Sequence, residues 1–180
     1  ALRDCPGVGS GRLYSRAEIE SIIREGRATE FPMPMTDLPP HALDELRELY
    51  RALDRELASL DVSCSRCGKC CDFAASGLVL YMGPLEAALF LEHVPPSSPD
   101  PAVPGVCPFF IDGVCANRSG RSIGCRTYFC RGPLRDVLQT MHEKFLSQSR
   151  DLCVRFAVPW RYQSLTCWLN GSRLSQETRK

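Results

Sequence analysis

Leu43, Leu46, Tyr50, Leu53, Leu57 and Leu60 recur at alternating steps of three and four, with Glu45, Arg47, Glu48, Arg51, Asp54, Arg55 and Glu56 between them. That period gathers the apolar side chains on one face of a helix and leaves the charges on the other. The seam is shorter than three heptads, so it predicts a helix packed on its own domain rather than a dimeric coiled coil. Thr36 or Asp37 is the expected cap, with Pro39 and Pro40 in the first turn. A shorter stripe of Ile19, Ile22 and Ile23 follows the capping-box pattern Ser15-Arg16-Ala17-Glu18 and stops at Gly26. Phe31-Pro32-Met33-Pro34-Met35 reads as an extended linker, because each proline disfavours helix in the residue before it.

Downstream the apolar runs shorten. Gly77-Leu78-Val79-Leu80-Tyr81 predicts a short buried strand. Pro84 opens a helix through Leu85, Ala88, Leu89 and Leu91. Residues 94–105 hold five prolines and two serines and predict a loop. Phe109-Phe110-Ile111 and Val114 flank Asp112-Gly113, a tight-hairpin signal. Leu134, Val137, Leu138, Met141, Phe145 and Leu146 mark a long helix after Pro133, reaching as far as Val154 and broken by Pro159. Tyr162, Leu165, Trp168 and Leu169 suit a last short helix. The pattern predicts an α-rich α+β fold, with several helices and a few short strands around the segment 64–130. It reads as one domain over 1–180: a lead-in with a short helix at 1–35, the amphipathic helix at 36–63, a cysteine-rich core at 64–130, C-terminal helices at 131–170 and a polar tail at 171–180.

The chain has 180 residues, enough for one domain with a real core. Its 22 basic and 21 acidic residues give a net charge of +1, so no nucleic-acid partner is expected from bulk charge. No apolar run approaches the ~18–20 residues that span a bilayer, and no signal-peptide core is visible. The sequence therefore predicts a cytoplasmic protein without a membrane partner, monomeric or weakly dimeric. Gly7-Val8-Gly9-Ser10-Gly11 matches neither a phosphate loop nor a dinucleotide fingerprint. No Ser/His/Asp or paired-carboxylate constellation stands out, which argues against ordinary hydrolysis.

The cysteines change the picture. There are eleven, and Cys64, Cys67, Cys70, Cys71, Cys107, Cys115, Cys125 and Cys130 fall within 64–130. An odd count cannot pair fully, and a bridge between adjacent Cys70 and Cys71 would be strained. In a reducing compartment such clustered thiols are metal ligands. Thiolates are soft and select zinc or iron–sulfur clusters. C-x2-C-x2-C is a ferredoxin-like spacing, and Cys107-Pro108 resembles the Cys-Pro that closes such runs. The expectation is a [4Fe-4S] cluster on Cys64, Cys67, Cys70 or Cys71, and one remote cysteine. Zn2+ is the alternative, in one or two four-ligand sites. Adjacent cysteines do not easily face one tetrahedral ion, so Cys70 and Cys71 are expected at different sites, or one as a free thiol. Arg121, Arg126 and Arg131 surround Cys125 and Cys130 and are expected to offset cofactor charge or lower thiol pKa values. His41, His93 and His142 read as surface or helix-end residues, with only His93 kept as an outside ligand. Cys5 reads as a mobile thiol, and Cys153 and Cys167 as small buried hydrophobes.

Four segments, CSRCGKCC from Cys64, an apolar run into a helix, CPFFIDGVC from Cys107 and RSIGCR from Arg121, resemble the YkgJ-type CxxCxxCC cysteine-cluster family. Ser122 departs from the proline usual after the arginine, and Ala116-Asn117 from an apolar-aromatic pair. The resemblance covers Cys64 to Arg126 and implies zinc or iron chelation by these cysteines. Related clusters occur in flagellin lysine N-methylases. Three function classes follow: an iron–sulfur protein with a redox or cluster-dependent role, a zinc-stabilised structural or interaction module, and a metal-dependent protein-modifying enzyme related to those methylases. The partner is an unknown protein or small molecule.

Overall fold

A computed structural model describes residues 38–64, 66–92, 105–129 and 134–169. The expected lead-in helix, the linker at 31–35, the proline loop at 94–104, the tail, Cys5, His93, Cys130 and Arg131 lie outside them.

Helix α1 (Pro40–Ala58) buries Ala42, Leu46, Tyr50, Leu53 and Leu57, as the seam predicts. Its N-cap is Pro39, with no side-chain cap bond, so the helix starts later than a cap at Thr36 or Asp37 requires. Pro40 sits at N1, where its missing N–H costs nothing. Helix α2 (Phe73–Ser76) is one turn, capped by Asp72, whose side chain accepts from the Ala75 N–H at 2.9 Å. Gly77 closes it at φ 68. This turn corrects the expected buried strand over 77–81. Strand β1 (Tyr81–Met82) is all that forms, and Val79 is 61% exposed. The left-handed glycine uses the first position for a C-cap, and the partner strand is only two residues long.

Helix α3 (Pro84–Leu91) is apolar all round apart from Glu86, and every residue from Pro84 to Phe90 is buried. It stands between two cores. Leu85 and Leu89 join the helical core with α1 and the long helix α5 (Arg135–Arg155). Ala87 and Phe90 join the second core, with Met82, Phe109, Trp168, Cys71 and Cys107. Strands β2 (Phe110–Ile111) and β3 (Val114–Cys115) form the expected hairpin, Phe110 opposite Cys115 and Ile111 opposite Val114. Helix α4 (Ile123–Thr127) follows. Helix α5 packs on α1 and α4. It ends at Arg155, before Pro159, and Ala157 takes the left-handed conformation at φ 53. Strand β4 (Gln163–Ser164) pairs antiparallel with β1, Tyr81 opposite Ser164. Residues 165–169 are helical, as expected, and Trp168 donates to the Met82 carbonyl at 3.0 Å.

Cys153 is fully buried in the helical core, as expected. Cys167 is buried but disulfide-bonded, which corrects its reading as a free hydrophobe; its partner lies outside the described residues.

Glu86 ties α3 to α4 and closes its own helix. Its carboxylate accepts from the Gly83 N–H at 3.0 Å and the Ile123 N–H at 2.8 Å. Burial pushes its pKa from the ordinary 4.5 up to about 7, against the pull of those two amides and of Arg126. The folded chain therefore holds this proton more tightly than the unfolded chain. The resulting stability is complete below about pH 4.5 and is lost as pH rises through about 7. The expected loss is about 3 kcal/mol, since one pKa unit is worth about 1.4 kcal/mol. Glu86→Gln, neutral throughout, should flatten that slope in urea titrations run near pH 5 and near pH 8.

Candidate metal centre

The loop after α1 turns through two left-handed residues, Arg66 at φ 57 and Gly68 at φ 67. The Cys71 N–H donates to the Gly68 carbonyl at 2.8 Å and closes the turn. Gly68 lies under the hairpin: a Cβ there would fall 2.2 Å from the Phe110 ring and 2.5 Å from the Gly113 carbonyl. Only glycine fits both the conformation and the space. The Cys107 N–H donates to the Cys71 carbonyl at 2.8 Å, and Asp72 bridges Val106. Asp112 and Gly113, at φ 49 and 79, make the two-residue turn that returns the chain to Cys115. Asn117 accepts from the Gly120 N–H at 2.9 Å and donates to the Phe90 carbonyl at 3.4 Å, which shapes the turn carrying Arg118 and Arg121. Ser122 caps α4, accepting from the Cys125 N–H at 3.3 Å. A serine where proline was expected thus has a local use: it places Cys125 in the first turn.

These segments border one cavity of about 200 Å³. Cys64, Cys70, Cys71, Cys107, Cys115 and Cys125 line it, six of the eight cysteines the spacing singled out. None of these six is in a disulfide. Cys70 and Cys71 face the same cavity, although their adjacency pointed to different sites. Cys67 is exposed and does not border it. Arg66, Arg118 and Arg121 supply positive charge, and Phe73, Leu78, Leu80, Tyr81, Tyr128 and Tyr162 supply apolar wall. Among the described residues, no group of three or more His, Cys, Asp or Glu side chains is disposed to hold a single metal ion.

The thiols interact. Cys71 is pushed far up, chiefly by the neighbouring sulfurs of Cys107, Cys115 and Cys70, which compete for its proton. The neighbouring Cys71 thiol is the main reason Cys70 and Cys115 lie below the ordinary thiol value; Arg121 adds to both, and Arg118 to Cys115. Burial raises Cys125 to about 12. Iodoacetamide should therefore modify Cys70 and Cys115 of metal-free protein severalfold faster near pH 7 than Cys71 and Cys125. Peptide mapping by mass spectrometry reads that order directly.

Of the arginines, Arg121 keeps a cavity-lining place, and its buried Nε has no hydrogen-bond partner among the described residues. Arg126 is used elsewhere and does not line the cavity. It is 4% exposed, holds both Asp54 oxygens at 2.6 and 2.5 Å, donates to the Arg121 and Ser119 carbonyls, and stacks 4.3 Å over Tyr50. Arg118 was not singled out in the sequence, yet its Nη1 lies 3.9 Å from the Cys64 sulfur. His142, expected on a polar face, is half-buried and borders the cavity. Its neighbours one turn away, Leu138 and Phe145, are core residues, which is the signal that places it at the edge of the apolar stripe.

The donor set fits a soft-metal group. Thiolates suit it chemically, the arginines offset its negative charge, and the orphaned Arg121 N–H would find an acceptor in a sulfide or thiolate. No protein-family model, curated protein or solved structure matches the chain.

Proposed function

We propose that the protein carries an iron–sulfur cluster, of the [4Fe-4S] type, in a redox or cluster-dependent role. The observation that carries this reading is six cysteines around one cavity of about 200 Å³. Zinc needs four donors at ~2.0–2.3 Å from a single point. A cubane spreads its ligand sulfurs over its corners, so it needs thiols around a space. The cysteine-cluster resemblance supports the same reading, although Cys67 of the ferredoxin-like spacing does not border the cavity. Cys64, Cys70, Cys71, Cys107, Cys115 and Cys125 line the cavity and would supply the ligands; when bound, the cluster would supply one-electron transfer or a Lewis-acidic iron. An unknown protein or small molecule is the partner. A reducing compartment suits exposed thiols such as Cys64; the Cys167 disulfide is the feature against it.

The test is iron, zinc and acid-labile sulfide analysis of anaerobically purified protein, with its visible spectrum. Iron with matching sulfide and a brown chromophore is the expected result. Stoichiometric zinc without sulfide would overturn it and leave the zinc module.

A further inference from the structure

The cavity has a second chemistry that the thiols do not use. Thr127 Oγ1 lies 2.9 Å from the Ile123 carbonyl and 3.2 Å from His142 Nδ1. A carbonyl only accepts, so the single hydroxyl proton of Thr127 goes to Ile123, the back-bond usual for threonine in a helix. The histidine must then donate at Nδ1. Its Nε2 is left as a bare acceptor, and no described residue hydrogen-bonds to it. Burial lowers the ring's pKa, which favours the neutral ring. The bland alternative, a core histidine satisfied by its neighbours, accounts for one nitrogen only.

Gly124, Leu80, Tyr81 and Tyr162 line the same cavity as this ring. Gly124 and Leu80 are its neighbours: a Cβ on Gly124 would lie 3.5 Å from Leu80 and 3.8 Å from His142 Cε1. Tyr81 stacks on Tyr162 at 5.7 Å, and Tyr162 on Trp160 at 6.2 Å, giving a stiff aromatic face. Burial holds the Tyr162 phenol well above its ordinary pKa, so it adds no charge.

We propose that His142 Nε2 and this aromatic wall form a subsite for a neutral, largely apolar small molecule carrying one O–H or N–H donor. It depends on the cluster reading only in lying on the same cavity. The site binds by shape and by one hydrogen bond to Nε2; Thr127 is a positioning residue that fixes the tautomer.

The probes are para-fluorophenol and para-fluorotoluene, equal in shape and different in one donor, titrated by fluorine NMR into the full chain. The phenol should bind about tenfold more tightly, the worth of one hydrogen bond. His142→Leu should remove that preference and leave toluene binding unchanged, and His142→Gln should keep part of it. Gly124→Ala, whose added methyl meets only ordinary contacts, should weaken both probes. Equal binding of the two probes, no binding of either, or a preference that survives His142→Leu would overturn the site. Metal and sulfide are measured in the same samples. A histidine-dependent preference without iron or sulfide sinks the cluster and leaves the subsite standing, whereas iron and sulfide without a preference does the reverse.

Discussion

Serine in place of Cys107 is expected to give a folded protein nearly devoid of iron and sulfide. Cys107 is 4% exposed, lines the cavity, and is held by its own N–H against the Cys71 carbonyl. Its sulfur neighbours the Cys71 thiol and is the main cause of that thiol's raised pKa. Serine keeps the backbone bond and the approximate volume, but its hydroxyl is a poor ligand for soft metals. Losing an outer-shell partner already costs roughly 10–100-fold in metal affinity, and a direct ligand costs at least as much. Cys67→Ser is the control. Spacing alone ranks it equal to Cys64 and Cys70, but it is exposed and off the cavity, so it should retain most of the metal. Iron and sulfide per chain, read beside far-UV circular dichroism, separates ligand loss from unfolding. Full metal content in Cys107→Ser would remove this cysteine from the centre.

Arg126→Ala is expected to produce the largest loss of stability, about 3 kcal/mol. The ion pair is not the main reason. Asp54 is 51% exposed on its side chain, and exposed partners recover solvation when a pair is cut. The cost arises at the other end, where the Ser119 and Arg121 carbonyls lose their donor and the Tyr50 ring loses its cover. An acceptor left unmade costs up to about 1–3 kcal/mol; these part-buried carbonyls recover some of that from water, and the emptied space beside the buried Tyr50 supplies the rest. Lysine keeps the charge but cannot fork to two carbonyls and a carboxylate, so Arg126→Lys should recover only a small part. For a chain of this length the melting temperature should fall by roughly 6–12 °C. A fall of under about 2 °C in differential scanning calorimetry would show that the turn holds itself together without the arginine.

Long-period features were legible in the sequence. The leucine seam of α1 and the Asp-Gly hairpin stand where the pattern puts them, and so do Leu138, Met141 and Phe145 of the α5 stripe, whereas Val137 of that stripe is exposed. Six of the eight clustered cysteines line one cavity. What failed was local or non-local in a specific way. The 77–81 segment is apolar, but Gly77 was a helix stop, and apolarity alone does not separate a strand from a cavity wall. Arg126 looked like a cofactor residue because it stands beside Cys125. Its partner Asp54 is 72 residues away, a distance no spacing rule reaches. His142 was misread because a helical wheel marks the core stripe and not what borders it.

The backbone bond between Cys107 and Cys71 has one more consequence. It joins the two cysteine-bearing segments through peptide groups, and the Asp72–Val106 bridge and the glycine packed beneath the hairpin brace the same junction. None of these contacts involves a sulfur. The receptacle thus stands by itself, and its contents need not act as its mortar. A chain braced in this way is expected to keep its fold when the cavity is empty, and far-UV circular dichroism before and after chelation reads that directly.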